Sequence, residues 1–221
     1  MKAVRTVPGL EEILRNDPAM KEAMFKECSD AAMPLAAANE LVEKLSPYAV
    51  YSPGSTVRPR PSALMRAAAY GESATALAMI QAGVDPFADR DAADRTILHI
   101  AAYGKANQLL KRLLDNRKGK ELIDRSDKLG KTPLSYAVDQ DQVDSARLLL
   151  EAGANVGVGD SDGDTALHDA AGEDSAVMLQ LLIDARPGQL DLDAVGAKTI
   201  TPLIMAASKG QLDCVKALLK A

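Results

Sequence analysis

The sequence is poor in aromatic side chains: no Trp, two Phe and five Tyr, 3 % in all. That scarcity argues against a thick β-sandwich, whose strands favour aromatic and β-branched residues. Cysteine is nearly missing too. Cys28 and Cys214 lie far apart and match neither a disulfide framework nor a zinc-ligand spacing, which points to a reduced, intracellular setting. No apolar run approaches the roughly 18 residues that would suggest a membrane-spanning helix. The opening "MKAVRTVPGLEEILRNDP" turns charged before a signal-like apolar segment can form. A cytoplasmic location is therefore expected, or the host cytosol if the protein is a secreted effector. A basic excess is also lacking, with 26 Lys and Arg against 31 Asp and Glu and a formal net charge of −5. Nucleic acid, which needs a clustered cationic surface, is a poor partner for such a chain.

What the chain does have is small aliphatic material. Hydrophobic residues make up 47 %, so the core is built from Ala, Leu, Val, Ile and Met, which suit closely stacked helices. Five stretches share one pattern: "SALMRAAAYG" from Ser62, "TILHIAAYGK" from Thr96, "TPLSYAVDQD" from Thr132, "TALHDAAGED" from Thr165 and "TPLIMAASKG" from Thr201. Each starts with Ser or Thr, with Leu two residues later and Ala three residues after that. The leucines Leu64, Leu98, Leu134, Leu167 and Leu203 are spaced by 34, 36, 33 and 36 residues. A second apolar landmark follows each copy, as in "ARLLLEAGAN" and "VKALLKA". A fixed period of this length marks a stack of supersecondary units.

The unit resembles the ankyrin repeat, on "TPL" at Thr132 and Thr201, "LH.AA" at Leu98 and Leu167, and "LLLEAGAN" at Leu148. The resemblance implies an all-α solenoid of helix-turn-helix repeats with projecting turns or β-hairpins. It covers residues 57–221 as repeats 57–90, 91–126, 127–159, 160–195 and 196–221. Local chemistry agrees with it. A Ser or Thr hydroxyl caps the first helix of each unit, and Pro133 and Pro202 occupy its first turn. Gly71 and Gly210 sit where that helix must reverse, whereas Lys105, Asp141 and Asp174 stand at the same place in the other units. The two longer spacings have their excess after the second helix, in "NRKGKELIDR" and "ARPGQLDLDAV", where a loop can absorb it.

Residues 1–56 are no obvious repeat. Their "PGLEEILRN", "PAMKEAMFKECS" and "PLAAANELVEKLSP" read as short helices, expected to cap the open end of the first repeat. A partner-binding segment and the tail of an upstream domain are the alternatives. At the other end the chain stops at "LLKA", where the family pattern continues. An abbreviated capping helix and a piece of a longer array both fit.

The segment "DSDGDTALHDAAGED" (160–174) suggests a metal loop or a catalytic cluster, but its sister segments explain most of it. The helix–loop–helix calcium pattern needs Gly at position six and Glu at twelve, and those positions hold Thr165 and Ala171. Asp160 and Gly163 correspond to Asp127 and Gly130 and to Asp91 and Asp94, as turn residues. His99 and His168 share one repeat position two repeats apart, too far to share a proton. In the resembled family this His orients one repeat on the next. With no phosphate-binding glycine loop and no nucleophile–base arrangement, no catalytic residue, metal or cofactor is assigned and no enzyme is expected.

The resemblance implies a protein partner held on a concave face made of turn tips and the ends of the first helices. At matching positions these are Arg58, Arg95, Lys128, Leu129, Lys131, Asp162, Asp164, Lys198 and Ile200 on the tips. The helix ends supply Tyr70, Tyr103, Asp139, Gln140, Glu173 and Lys209. The early repeats thus offer cations with tyrosines, and the fourth turns acidic. The expected function is a non-enzymatic protein-interaction scaffold. The alternative is the substrate-targeting portion of a larger protein, such as a bacterial effector acting on host proteins. Neither membrane insertion nor nucleic acid is expected, and a single copy is the default oligomeric state.

Overall fold

The computed structural model describes residues 62–185 and 190–221. The expected N-terminal cap and Arg58 lie outside them. The first helical pair is α1 (Ala63–Ala69) and α2 (Ser73–Gln81), and the second is α3 (Ile97–Tyr103) and α4 (Asn107–Leu114). A short helix α5 (Arg117–Glu121) follows. The remaining pairs are α6 (Pro133–Asp139) with α7 (Val143–Glu151), and α8 (Ala166–Gly172) with α9 (Ala176–Ala185). A 3-10 turn at Ala197–Thr199 then leads into α10 (Pro202–Lys209) and α11 (Leu212–Lys220). The first helices stack in the order α1, α3, α6, α8, α10, and the second helices in the order α2, α4, α7, α9, α11. The result is an all-α solenoid. Among the described residues no strand forms, and the projecting tips remain turns.

Each first helix begins as the sequence requires. The hydroxyls of Ser62, Thr132 and Thr201 accept from the amides three residues on, at 3.3 Å in each case. Such a cap satisfies an amide that has no partner inside the helix. Every reversal after the first helix is left-handed. Gly71 and Gly210 have φ of 74° and 76°, while Lys105, Asp141 and Asp174 take 58°, 49° and 57° despite their side chains. At Lys105, a non-glycine residue in this conformation costs about 1 kcal/mol. The reversal brings the second helix back along the first, and Leu64, Leu98, Leu134, Leu167 and the alanines beside them become buried.

One expected loop is a helix instead. The excess in "NRKGKELIDR" forms α5, whose start is capped by the Asn116 side chain accepting from the Lys118 amide at 2.9 Å. Gly119 makes this turn possible: a Cβ there would overlap the Leu113 carbonyl at the end of α4. The second excess, "ARPGQLDLDAV", falls partly outside the described residues.

Candidate functional site

The turn tips are built from one repeated device. The Asp91 carboxylate accepts from the Ala93 and Arg95 amides at 2.9 and 3.0 Å. Asp127 does the same for Leu129 and Lys131 at 2.8 and 3.0 Å. Asp160 repeats it for Asp162 and Asp164 at 2.9 and 3.0 Å. A short polar side chain that bonds its own backbone fixes such a turn. The apparent metal loop at 160–164 is the third copy of this device. The fifth repeat departs from it. Gly196 replaces the Asp because a Cβ there would overlap the Asp164 carboxylate, which accepts instead from the Ala197 amide at 2.8 Å.

Adjacent tips are joined along the array. The Lys128 amide donates to the Ala93 carbonyl and the Ser161 amide to the Leu129 carbonyl, both at 2.9 Å. The two buried histidines add a second bond between repeats. His99 Nδ1 accepts from the Thr96 amide at 3.0 Å, so the proton sits on Nε2, which donates to the Lys131 carbonyl at 3.1 Å. His168 repeats this with the Thr165 amide and the Ile200 carbonyl, both at 3.0 Å. Burial pushes the His99 imidazole down to about 4, outweighing the Lys131 carbonyl and the Asp127 charge, which favour protonation. At neutral pH it is a neutral strut rather than a base.

Between the tips and the helix ends lie two side-chain groups. In the first, the Tyr136 hydroxyl donates to Asp127 at 2.7 Å. The Arg95 guanidinium sits 5.7 Å from the centre of its ring, and the rings of Tyr103 and His99 meet it edge-on. Arg95 also bonds Asp91 at 2.6 Å. Burial and the bond to Asp127 raise the Tyr136 hydroxyl to about 12. In the second group, Lys131 reaches from its tip to Asp139 at 2.7 Å and to Asp169 at 3.6 Å. Burial and the neighbouring Asp139 charge push the Asp169 carboxyl up to about 7, with Lys131 pulling the other way.

The sequence-derived contact residues thus divide into two sets. Arg95 is bonded to Asp91 and Lys131 to Asp139, the Lys128 ammonium donates to the Ala92 carbonyl at 2.7 Å, and Lys209 donates to the Gly172 carbonyl at 2.9 Å. Asp164 serves the next tip, and the half-buried Ile200 offers its carbonyl to His168. Tyr70, Leu129, Tyr103, Gln140, Asp162 and Glu173 keep exposed side chains, Tyr70 to 74 % and Leu129 to 60 %. The Lys198 side chain is outside the described residues. Sequence reasoning missed Tyr136, and took Asp169 only as part of the surplus acidity of the fourth repeat. Both stand at the helix position of Arg66, Ile100 and Met205, a row of mixed character that gives no periodic signal.

A family model for ankyrin repeats, in three copies, matches residues 64–160 and 152–221. The chain belongs to the ankyrin-repeat family. Inversin of Gallus gallus is 38 % identical over 124 residues, 56 % of this chain and 11 % of inversin. The nuclear factor NF-kappa-B p105 subunit of Gallus gallus is 30 % identical over 128 residues, 57 % of this chain and 13 % of that protein. Neurogenic locus notch homolog protein 1 of Xenopus tropicalis is 37 % identical over 103 residues, 47 % of this chain and 4 % of its own length. The ankyrin array therefore corresponds to a small part of each much longer relative. Ankyrin repeats in general serve protein–protein interaction, and no helix among the described residues is long and apolar enough to cross a membrane.

Proposed function

We propose that this ankyrin array is a non-enzymatic scaffold that binds a protein partner on the face formed by its tips and first-helix ends. The observation that carries the reading is the exposure of Tyr70, Tyr103 and Leu129 at those positions. Large apolar groups held in solvent by a rigid framework are the usual anchors of an interface. Asp162, Glu173 and Gln140 supply its polar rim. Arg95 and Lys131 contribute mainly by holding Tyr136 and the Asp139–Asp169 pair in place, since their charges are already paired. The test is affinity capture followed by affinity measurement on the partner recovered. Replacing Tyr70, Tyr103 and Leu129 by Ala together weakens that partner by roughly a hundredfold or more. Unchanged affinity refutes the surface. A second reading, the targeting portion of a larger protein, rests on the small share of each relative that the array covers. The full reading frame tests it.

A further inference from the structure

The helix that departs from the repeat is also where the cations gather. Residues 111–120 hold five of the 26 Lys and Arg and a single acid, Asp115, in a chain whose net charge is −5. On α4, Lys111 and Arg112 are exposed on the side opposite the buried Leu109, Leu110, Leu113 and Leu114. The insertion that follows is tied down on three sides. Gly119 is buried against the Leu113 carbonyl at the end of α4. Lys118 reaches back to the preceding repeat, 3.4 Å from the Asp85 carboxylate and 5.4 Å from the centre of the Phe87 ring. Beyond α5, Asp124 accepts from the Asn155 amide of the following repeat at 2.8 Å. Four other cations remain directed at solvent. Arg117 is 93 % exposed, and its bond to the exposed Glu121 at 2.9 Å neutralises little. Lys111, Arg112 and Lys120 are exposed and pair with no carboxylate among the described residues. Arg147 extends the row. It stands on α7 at the position of Lys111, about 10 Å away across the contact between α4 and α7, and is likewise exposed.

We infer that the outer face of α4 and α5 is a second interaction surface, which takes an acidic, extended segment of a protein partner. Charge complementarity selects the occupant: like-charged segments are repelled, and carboxylates meet cations that have no carboxylate of their own. The ties at Gly119, Lys118 and Asp124 hold the platform in place beforehand, so little ordering is lost on binding. The stack itself does not require it, since the pairs α1–α2 and α6–α7 lead to the next tip with no such helix between. Other anionic partners fit less well. Asp85, Asp115 and Glu121 are exposed among the cations. A membrane surface or a nucleic-acid backbone presents negative charge continuously and would meet these acids too, whereas a peptide can place its carboxylates only where the cations are. No large apolar side chain is exposed on α4 or α5, so an anchor for a bilayer is also missing. The surface belongs to the second helices and the insertion after them, and it is independent of the proposed concave face.

Fluorescence anisotropy of the full chain with a labelled peptide tests the inference. The probe alternates Glu and Ser over about twelve residues, which sets its carboxylates about 7 Å apart on one side of an extended strand. The expected result is reversible binding that weakens as salt rises from about 0.01 to about 0.15 M, and none by the same peptide with Gln for Glu. Arg117→Glu with Lys120→Glu weakens binding by roughly tenfold or more, two contacts having turned from attraction to repulsion. Lys111→Gln with Arg112→Gln weakens it severalfold. Arg66→Glu with Lys105→Glu makes the same change in net charge away from this face and leaves the affinity as it was. All these side chains are exposed and none caps or packs α5, so the helical circular-dichroism spectrum is retained throughout. The inference is overturned if the glutamate peptide does not bind at low salt, or if the glutamine peptide binds equally. It is overturned as well by equal losses in the two double-glutamate variants, which would report net charge alone. Tighter binding to phosphatidylserine vesicles or to duplex DNA than to the peptide would assign the cations to a different class of partner and also overturn it.

Discussion

Replacing Asp169 by Asn will stabilise the protein above neutral pH and expose a pH dependence hidden in the wild type. Asp169 is a largely buried carboxyl raised to about 7 by desolvation and by Asp139. Its folded value lies above its unfolded one, so the folded state holds the proton more tightly. Its contribution to stability is complete below the ordinary carboxylate value and is lost as pH rises through about 7. Between those two values the loss is on the order of 4 kcal/mol, at about 1.4 kcal/mol per unit. His99 works in the opposite direction. Its folded value of about 4 is below the ordinary 6.5, so its contribution is complete above the ordinary value and is lost as pH falls through about 4, on the order of 3 kcal/mol. In the wild type the two slopes oppose each other between about pH 4 and 6.5, leaving stability nearly level there. The substituted amide keeps the shape of the carboxyl, with Lys131 still bonded to Asp139, but it cannot ionise. Urea midpoints followed by circular dichroism across that range are the assay. The variant should exceed the wild type above neutral pH by on the order of 2 kcal/mol and lose stability steadily on acidification. A variant weaker than wild type above neutral pH, or a wild type already steep in that window, refutes the reasoning.

Gly104 has an ordinary φ of −84°, so its need for glycine is steric alone: a Cβ would overlap the Ala68 carbonyl of the preceding repeat. Gly104→Ala will cost about 2 kcal/mol by forcing α1 and α3 apart, visible as a lowered melting temperature; an unchanged one contradicts the close approach. Lys105→Gly should do the reverse. It removes an exposed side chain from a left-handed residue with φ of 58°. The net gain is about 0.5 kcal/mol, after allowing for the extra freedom of glycine in the unfolded chain. A lower melting temperature would show that Lys105 has a role the backbone angle does not reveal.

Much of the architecture was legible because it is written in local chemistry that recurs. The capping hydroxyls, the Asp of each tip, the left-handed reversals and the linking histidines act on atoms within a few residues of themselves or one repeat away. A period in the sequence therefore reports them directly. That is why "DSDGDTALHDAAGED" could be read as a tip and a helix start rather than as a metal loop. The loop expected after α4 became α5 because Asn116 caps a turn that Gly119 allows to press on Leu113, a contact with no periodic signature.

The candidate site was legible in position but not in state. Sequence placed Arg95, Lys131, Asp139, Tyr70 and Tyr103 along the tips and helix ends. Charge pairing depends on which side chains of different repeats meet, and a list of positions does not contain that distance. Only the fold shows Arg95 engaged by Asp91 and Tyr136, and Lys131 by Asp139 and Asp169, while Tyr70 and Leu129 remain in solvent. The same reason separates the two levels throughout. Repeat number, caps and turns follow from interactions between near neighbours in the chain, so the sequence alone determines them. The neutral His99, the raised carboxyl of Asp169 and the glycine at 104 depend on burial. Burial is created only when one repeat is laid on the next.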